Sequence, residues 1–423
     1  WYLHGMSPNK GLGSLKSFLS SRQCYKNVVL PGVSNFASLK LNCRYFGDSV
    51  SQPVSKLSSR SLGLFDFYVK PQLPALNVLP EIQEAMISEP TSSTLEGLLR
   101  AVKILEGMDG RLSTAVNVLL ADSYQEMGLY QNAILTLEHI LSKEENSDYR
   151  LYLALCKALC YNGDLDRAFS ITVDLLEEDR VQSSIHARGS MLSLQGTIQM
   201  LRLRKDRNDF QDAQDSITLL RVAARSMEPN VAAASAYNNL GVAQLAGDFM
   251  FLDRVRVDPS MKSFHQALEL ANTDLLRGRI FNNMATTLLL EDNDTKMLKL
   301  ASEYTRSALS IFETSTTLTS SEQRTGLGRA LSLAASCYFR TGSAVTAEGL
   351  FQTAVEKAGG TDPLSKIAHH EAYQNYSELC RQWENRHSDS ERLAKESQSI
   401  HDSLPEVWKN KPSIISGLSF GDL

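Results

Sequence analysis

The sequence predicts an all-α fold, an α-solenoid of about seven helix pairs with an N-terminal capping helix. Two observations carry this prediction. Apolar residues recur at helical spacing through most of the 423-residue chain. In addition, Gly128 recurs as Gly163 and Ala133 as Ala168, a shift of 35 residues within the stretch 114–182. Self-similarity at such a period is typical of a helical repeat protein.

Each repeat has the pattern of two amphipathic helices joined by a tight turn. A glycine at the turn ends the first helix, because helices commonly end on a residue in the left-handed conformation. The small residues Ala133 and Ala168 are expected where the two helices cross closely. A solenoid also suits a chain of this length, since each unit buries its apolar face against its neighbours rather than in one large core.

Later repeats keep this spacing with longer turns. The fourth and sixth carry it most clearly, in Tyr237, Leu240, Gly241, Phe264 and Ala267, and in Ala335, Tyr338, Gly342, Ala347, Phe351 and Ala354. The spacing resembles the tetratricopeptide repeat (TPR) superfamily, whose pattern is a large residue, Leu-Gly, Tyr, a turn Gly, Ala, an aromatic and Ala. The resemblance covers about residues 114–402. It implies TPR-like helix pairs and a role in binding protein segments.

The chain divides into four segments by composition and pattern. Three prolines between Leu64 and Pro80 predict an extended run rather than a helix. Thr94 has the character of an N-cap for a helix that closes the open end of the solenoid. The predicted segments are a disordered basic transit-like leader at 1–62, a Pro-rich extended segment and capping helix at 63–112, a TPR-like helical repeat domain at 113–404, and a C-terminal tail at 405–423 that folds back on the last helix.

The leader is basic and rich in serine. Residues 1–70 hold nine Lys and Arg against Asp48 and Asp66, a net charge of +7, and Met6 is a candidate initiator. Such composition is typical of an organellar transit peptide, with a plain disordered basic tail as the alternative. The serine content and the lack of an Arg-rich amphipathic helix favour the chloroplast over the mitochondrion.

The rest of the chain is acidic, with a net charge of −12 when the whole chain carries −5. An acidic body argues against nucleic acid as the main partner, because binding to a phosphate backbone depends on Lys and Arg. No run of about eighteen apolar residues predicts a transmembrane helix. Cys156 and Cys160 lie four residues apart, where two small buried residues at a helix crossing are expected rather than a metal site.

No catalytic or nucleotide-binding motif stands out. The sequence contains no G-x-x-x-x-G-K-[ST], no G-x-G-x-x-G after a strand, no H-E-x-x-H and no G-x-S-x-G. We therefore expect a protein that is not an enzyme and has no cofactor or metal.

Asparagines mark the candidate site. The TPR resemblance places the residue before the Leu of Leu-Gly on the concave face of the first helix, and in repeats four, five and seven that residue is asparagine. A side-chain amide both donates and accepts, so a series of amides could hold the backbone of an extended peptide. Two arginines occupy the second position of repeats five and six. The predicted groove residues are Asn238, Asn239, Arg279, Asn282, Asn283, Arg329 and Asn375.

This layout resembles the peptide-binding groove of TPR proteins such as the kinesin light chain. It departs from the carboxylate clamp of chaperone-binding members, because Ser235 and Leu333 stand where that clamp needs basic residues. The alternative is that the asparagines bridge or cap neighbouring helices and have only a structural role. Both interpretations stay open at this point.

Two functional hypotheses follow. The first is a non-enzymatic helical-repeat adaptor or scaffold that mediates protein–protein interaction in organelle complex assembly, through a concave peptide-binding groove. The second is an organellar RNA-binding helical repeat of the pentatricopeptide kind, with which residues 156–169 are also compatible. The acidic body, uneven repeat lengths and TPR spacing favour the first. The partner's identity and the oligomeric state stay open.

Overall fold

The computed structural model describes residues 64–72, 76, 82–83, 90–105, 110–143, 148–204, 209–252, 255–290, 294–316, 318 and 320–420. All of them belong to one compact unit that spans Ser51–Leu423. These described residues are helical or irregular, and none of them forms a strand. The predicted leader at 1–62 lies outside the described residues.

Fifteen long helices make up the described part of the chain. In order they are α1 Ser92–Leu105, α2 Gly110–Glu126, α3 Tyr130–Lys143, α4 Tyr149–Asn162, α5 Leu165–Glu177, α6 Ile185–Arg202, α7 Phe210–Ser226, α8 Val231–Phe251, α9 Val257–Leu270, α10 Asp274–Leu289, α11 Thr295–Thr314, α12 Ser320–Arg340, α13 Ala344–Lys357, α14 Pro363–Arg381 and α15 His387–Asp402. No helix in this part of the chain is long and apolar enough to cross a membrane.

The helices pack as a solenoid. Helix α1 packs on α2, and then each helix packs against the next, which gives seven pairs from α2–α3 to α14–α15. The first helices of successive pairs also touch each other, from α4 through α6, α8, α10 and α12 to α14. They therefore form one continuous layer. The predicted all-α solenoid of about seven helix pairs with an N-terminal capping helix is confirmed.

Glycines end the first helices as predicted in the regular repeats. Gly128, Gly163 and Gly342 have φ angles of 75°, 94° and 83°, a left-handed conformation that residues with a Cβ rarely adopt. At Gly163 the backbone N–H donates to the carbonyl of Cys160 at 3.1 Å. The turn therefore satisfies a carbonyl at the helix end and reverses the chain within a few residues.

Small residues lie at the helix crossings. Ala133, Ala168 and Ala347 are fully buried. Cys156 on α4 brings its Sγ to 3.7 Å from the carbonyl of Ala168 on α5, so the thiol fills the crossing. Burial raises the pKa of the Cys156 thiol and keeps it protonated. Among the described residues, no group of three or more His, Cys, Asp and Glu could hold a metal ion.

Three local details differ from the sequence prediction. Residues 65–72 form a helical turn over Phe65–Val69 and a 3-10 turn over Lys70–Gln72, not an extended run. The single proline in this stretch is compatible with a helical turn, because its fixed φ lies in the helical range. The cap of α1 is Thr91, whose Oγ1 accepts from the N–H of Thr94 at 3.2 Å.

The third difference is at the long connection of the fourth repeat. Part of the extra length predicted there extends α8 to 21 residues. Asp248 near its end is buried and pairs with Arg256, whose Nη2 lies 2.6 Å from the Asp248 Oδ1. The ion pair joins the end of α8 to the start of α9.

After α15 the chain turns back into the array. A single helical turn spans Glu406–Lys409, and a 3-10 turn spans Ser413–Gly417. The 3-10 turn packs against α14, α8 and α10, which are first helices of three different pairs. The tail therefore folds back on the inner layer of the solenoid, well beyond the last helix on which we expected it.

Candidate peptide-binding groove

We call the groove the surface of the first helices α4, α6, α8, α10 and α14 on which residues 405–420 lie. Trp408 anchors the tail at one end. Its side chain is 1% exposed. Its Nε1 donates to the carbonyl of Cys160 on α4 at 3.0 Å, and its ring meets Tyr161 edge to face. A buried indole needs such a partner for its N–H.

Apolar side chains hold the middle and the end of the tail. Ile414, Ile415, Leu418 and Phe420 are all buried and belong to the main core cluster. The Phe420 ring lies 5.4 Å from that of Tyr161, in an edge-to-face arrangement. Burial of four large apolar side chains stabilises the docked tail by several kcal/mol, at about 1.5–3 kcal/mol each.

Asn239 on α8 binds the tail backbone with both ends of its amide. Its Oδ1 accepts from the N–H of Ser419 at 2.8 Å, and its Nδ2 donates to the carbonyl of Ser419 at 2.9 Å. The same Nδ2 lies 3.2 Å from the Oγ1 of Thr197 on α6. One asparagine therefore satisfies both backbone groups of a buried tail residue and joins two helices.

Two further asparagines converge on the next carbonyl. The Nδ2 atoms of Asn238 and Asn283 each donate to the carbonyl of Gly417 at 3.0 Å. Asn283 also donates to the Oδ1 of Asn238 at 2.7 Å, which joins α10 to α8. Because both lone pairs of this carbonyl are used, the carbonyl of Gly417 is fully bonded.

Arg329 on α12 holds one of these asparagines, Asn283, in place. Its Nη1 donates to the Oδ1 of Asn283 at 2.8 Å, and its Nη2 donates to the Oγ1 of Thr286 at 3.2 Å. Burial lowers the pKa of Arg329 to about 10, and the neighbouring charge of Arg279 acts in the same direction. The carboxylate of Glu371 on α14 opposes this shift. It also accepts from the Oγ of Ser413, so the buried cation is linked to the tail.

Gly417 is the one position in the described tail where the groove leaves no room for a Cβ. A Cβ on Gly417 would lie 2.0 Å from the Oδ1 of Asn283 and 2.7 Å from its Cγ. Asn283 cannot rotate away without losing its bonds to Asn238 and Arg329. The glycine is therefore required by close approach to the asparagine.

The remaining predicted site residues have other surroundings. Asn282 donates from Nδ2 to the carbonyl of Gly326 at 3.2 Å, which bridges α10 and α12. Asn375 lies on α14, partly buried, and makes no side-chain hydrogen bond with a described residue. Arg279 is also partly buried and lines a cavity of about 150 Å³ beside the tail. The structure thus brings Asn238, Asn239, Asn283 and Arg329 together around the tail.

The cavity beside the tail has walls of mixed charge. Arg279, Arg329 and Lys157 line it, together with four carboxylates at Asp122, Glu126, Glu322 and Asp362. Ser416 and Phe420 of the tail form another part of its wall. This cavity is not a uniformly basic surface of the kind that a phosphate backbone requires.

The first and last repeats meet next to this cavity. Thr361, just before α14, donates from Oγ1 to the carbonyl of Glu126 at the end of α2, at 2.8 Å. The same threonine lies against Gly128, where a Cβ would come within 3.0 Å of the Thr361 Cβ. Residues 235 positions apart in the chain are therefore in contact.

Sequence reasoning did not find the groove residues contributed by the tail itself. Trp408, Gly417 and Ser419 carry the contacts described above, and the structure alone assigns them to the groove. The signal available in the sequence was the apolar run IISGLSF after Pro412, in a chain end that is otherwise polar. That pattern indicates a buried segment but does not say against which helices it packs.

Comparisons with known proteins return helical-repeat structures at low similarity. A tetratricopeptide repeat protein from Parabacteroides merdae is 13% identical, with 72% of this chain and 98% of that one covered and a TM-score of 0.44. Human IFIT1, solved as a dimer with PPP-AAAA, is 16% identical, with 85% and 74% covered and a TM-score of 0.43. No family model and no curated protein matches the sequence. Likenesses this distant carry no argument about function, and the solenoid assignment rests on the helix pairs themselves.

Proposed function

We propose that this chain is a non-enzymatic helical-repeat adaptor whose groove binds a segment of a protein partner. The observation that carries the proposal is the pair of hydrogen bonds between Asn239 and the backbone of Ser419, at 2.8 and 2.9 Å. On the side of the tail, these bonds use only the backbone N–H and carbonyl of Ser419, which every polypeptide offers. A surface that holds one segment in this way has the chemistry to hold another.

The groove chemistry favours a polypeptide over RNA. Its central contacts come from neutral amides, and the cation that supports them, Arg329, already donates to Asn283 and Thr286. RNA binding would need cations free to face phosphates. The net charge of −12 outside residues 1–70 points the same way. RNA is therefore an outcome for the test and not a second proposal.

The proposal includes a role in complex assembly inside an organelle, the chloroplast or else the mitochondrion. It is supported by the basic, serine-rich composition of residues 1–62. A fusion of residues 1–62 to a fluorescent reporter is expected to enter isolated chloroplasts and to be shortened there. Import into mitochondria alone, or into neither organelle, would contradict the chloroplast assignment.

Site-directed photo-crosslinking tests the adaptor function. Benzoylphenylalanine is placed at Gln125, which lines the cavity beside the tail. The matched control is Val345 on α13, which is 67% exposed and does not line the cavity. Both full-length variants are irradiated in organelle extract, with and without ribonuclease, and the cross-linked species are identified by mass spectrometry.

We expect protein cross-links at Gln125 that survive ribonuclease and are absent at Val345. Equal labelling at both positions would show that the groove has no special role. Loss of the Gln125 adducts after ribonuclease, with nucleotides found on the cross-linked peptides, would support the RNA alternative instead.

A further inference from the structure

Three features of the tail indicate how the groove selects its ligand: a glycine with no room for a Cβ, large apolar residues in buried sites, and polar atoms left without partners. The tail is covalently joined to α15 and already fills the groove. Any partner segment must therefore replace it.

The glycine requirement is the sharpest of the three. A Cβ at Gly417 would clash with the end of Asn283, a flexible group that would normally swing away from a methyl group. Here three hydrogen bonds hold that side chain, to Asn238, to Arg329 and to the Gly417 carbonyl. Moving it would break the bonds that hold the ligand. A segment with a side chain at this position therefore cannot be bound in the same way.

The positions on either side of the glycine also restrict which side chains can be bound. Ile414 and Ile415 before it, and Leu418 and Phe420 after it, are buried. Ser419 between the last two is fully buried, with its Oγ 3.4 Å from the Oγ of Ser235, so only a small side chain fits there. Along residues 414–420 the groove thus takes two large apolar residues, a serine, a glycine, another apolar residue, a small residue and an aromatic.

The tail does not satisfy every polar atom that it covers. Ser416 Oγ, Asn282 Oδ1 and Arg329 Nε are buried and have no hydrogen-bond partner among the described residues. All three residues line the cavity of about 150 Å³ beside the tail. A segment that reached these atoms would bind more favourably than the tail does, because unpaired buried polar groups oppose its docking.

We propose that residues 412–420 are an internal competitor for the groove. The protein partner binds by a segment of the same chemistry, with glycine at the position of Gly417 and an aromatic at that of Phe420. This inference rests on the proposed adaptor function and adds the partner's sequence character. The covalent link gives the tail a high effective concentration, so the full-length protein holds its groove closed until a better segment displaces the tail.

The test uses the full-length protein and a fluorescein-labelled peptide with the sequence of residues 412–420, PSIISGLSF. A matched peptide carries alanine at the position of Gly417. The protein variants are wild type, Gly417→Ala to release the tail, and Gly349→Ala as control, since a Cβ at Gly349 meets open space. Fluorescence polarisation measures affinity, and hydrogen exchange of residues 413–420 measures tail release.

We expect Gly417→Ala to bind the glycine peptide about tenfold or more tightly than wild type and Gly349→Ala do, because the internal competitor is gone. The alanine peptide should bind Gly417→Ala about tenfold more weakly than the glycine peptide. Equal affinity for the two peptides would overturn the glycine selection. Equal affinity of wild type and a variant with released tail would overturn the competition.

A second variant covers the case in which Gly417→Ala fails to fold. Ser419→Pro removes the N–H that donates to Asn239, and residue 419 lies outside the described helices. If both variants fold but residues 413–420 stay protected, or if neither folds, the tail is a permanent part of the core and the competitor role is wrong. Partner cross-links at Gln125 without peptide binding would overturn this inference alone. A released tail with neither peptide binding nor cross-links would also overturn the adaptor function.

Discussion

Three asparagine side chains hold the tail in the groove and also join the helices that form it. Asn239, Asn238 and Asn283 each make at least two side-chain hydrogen bonds, to the tail and to neighbouring groups of the helix layer. The same side chains therefore hold the backbone of the chain's own tail and bridge neighbouring helices, while the binding of a partner peptide stays a prediction. An amide can do this because it has two donors and an acceptor with two lone pairs.

Replacing Asn239 by alanine should destabilise the protein measurably. The change removes both bonds to Ser419 and leaves two buried backbone groups without this partner, which costs about 2–4 kcal/mol. Asn375→Ala is the matched control, and it should change stability by no more than about 0.5 kcal/mol. Urea unfolding followed by circular dichroism measures both. Equal effects of the two substitutions would show that the Ser419 bonds contribute nothing.

Lys411 gives the tail a dependence on pH. Its Nζ donates to the carbonyl of Leu203 at 2.6 Å, and burial lowers its pKa to about 8, with Arg204 acting in the same direction. Between this value and the ordinary 10.5, the unfolded chain keeps a proton that the folded state has released. Stability linked to Lys411 therefore rises with pH through this window.

The prediction is a difference between wild type and Lys411→Gln. The free energy of unfolding of the wild type relative to this variant should increase from pH 8 toward about pH 10, because only the wild type gains from release of that proton. Using the difference cancels the titration of cysteines and tyrosines common to both proteins. Parallel pH profiles would show that the Lys411 amine is protonated alike in both states.

At the scale of helices, the close crossings decide how the pairs pack. Ala133 on α3 and Ala347 on α13 have no exposed surface, and each lies at a crossing in its own pair. Gly128 and Gly342 set the turn before each of these helices. The turn and the small residue together bring the two backbones close enough to bury the large residues on either side.

Ala133→Leu and Ala347→Leu should each cost about 1–3 kcal/mol, because a leucine cannot fit a crossing that is already filled. His139→Leu on the exposed side of α3 is the control and should be neutral within about 0.5 kcal/mol. Hydrogen exchange should show lost protection around α2–α4 for the first change and around α12–α14 for the second. Uniform loss along all helices would contradict units that support only their neighbours.

At the scale of the whole described array, the tail makes this solenoid less one-dimensional than its repeats imply. Trp408 joins the segment after α15 to α4, and Thr361 joins the loop before α14 to α2. In an open solenoid each unit depends only on adjacent units. Here the last repeat and the tail share contacts with the first two repeats.

Trp408→Ala should therefore weaken two distant regions together. Loss of the buried indole should cost about 3–5 kcal/mol, and hydrogen exchange should rise both in residues 405–420 and in α4. Trp383→Ala is the matched control, since Trp383 is partly buried against the cluster of α12–α15. Its effect should stay in that region. Unchanged protection of α4 in Trp408→Ala would show that the tail does not stabilise the early repeats.

Much of the fold could be read from the sequence because its causes are local. Helical periodicity, a turn glycine such as Gly163 and a small residue such as Ala168 act within one repeat of 35 residues. They predicted the solenoid of about seven helix pairs, whereas the TPR resemblance implied the side of the first helix on which Asn239 and Asn283 lie. The helical turns at 65–72 escaped prediction, because the three prolines between Leu64 and Pro80 suggested an extended chain.

What lies in the groove was decided only by tertiary structure. Trp408 binds the carbonyl of Cys160 across 248 residues, and Ser419 binds Asn239 across 180. Contacts of that separation depend on small rotations between helix pairs that accumulate along the array, and no single repeat encodes the sum. The sequence by itself determined the helix pairs and predicted a series of amides on a common face. Only the packing of all seven pairs brought the chain's own tail back to fill it.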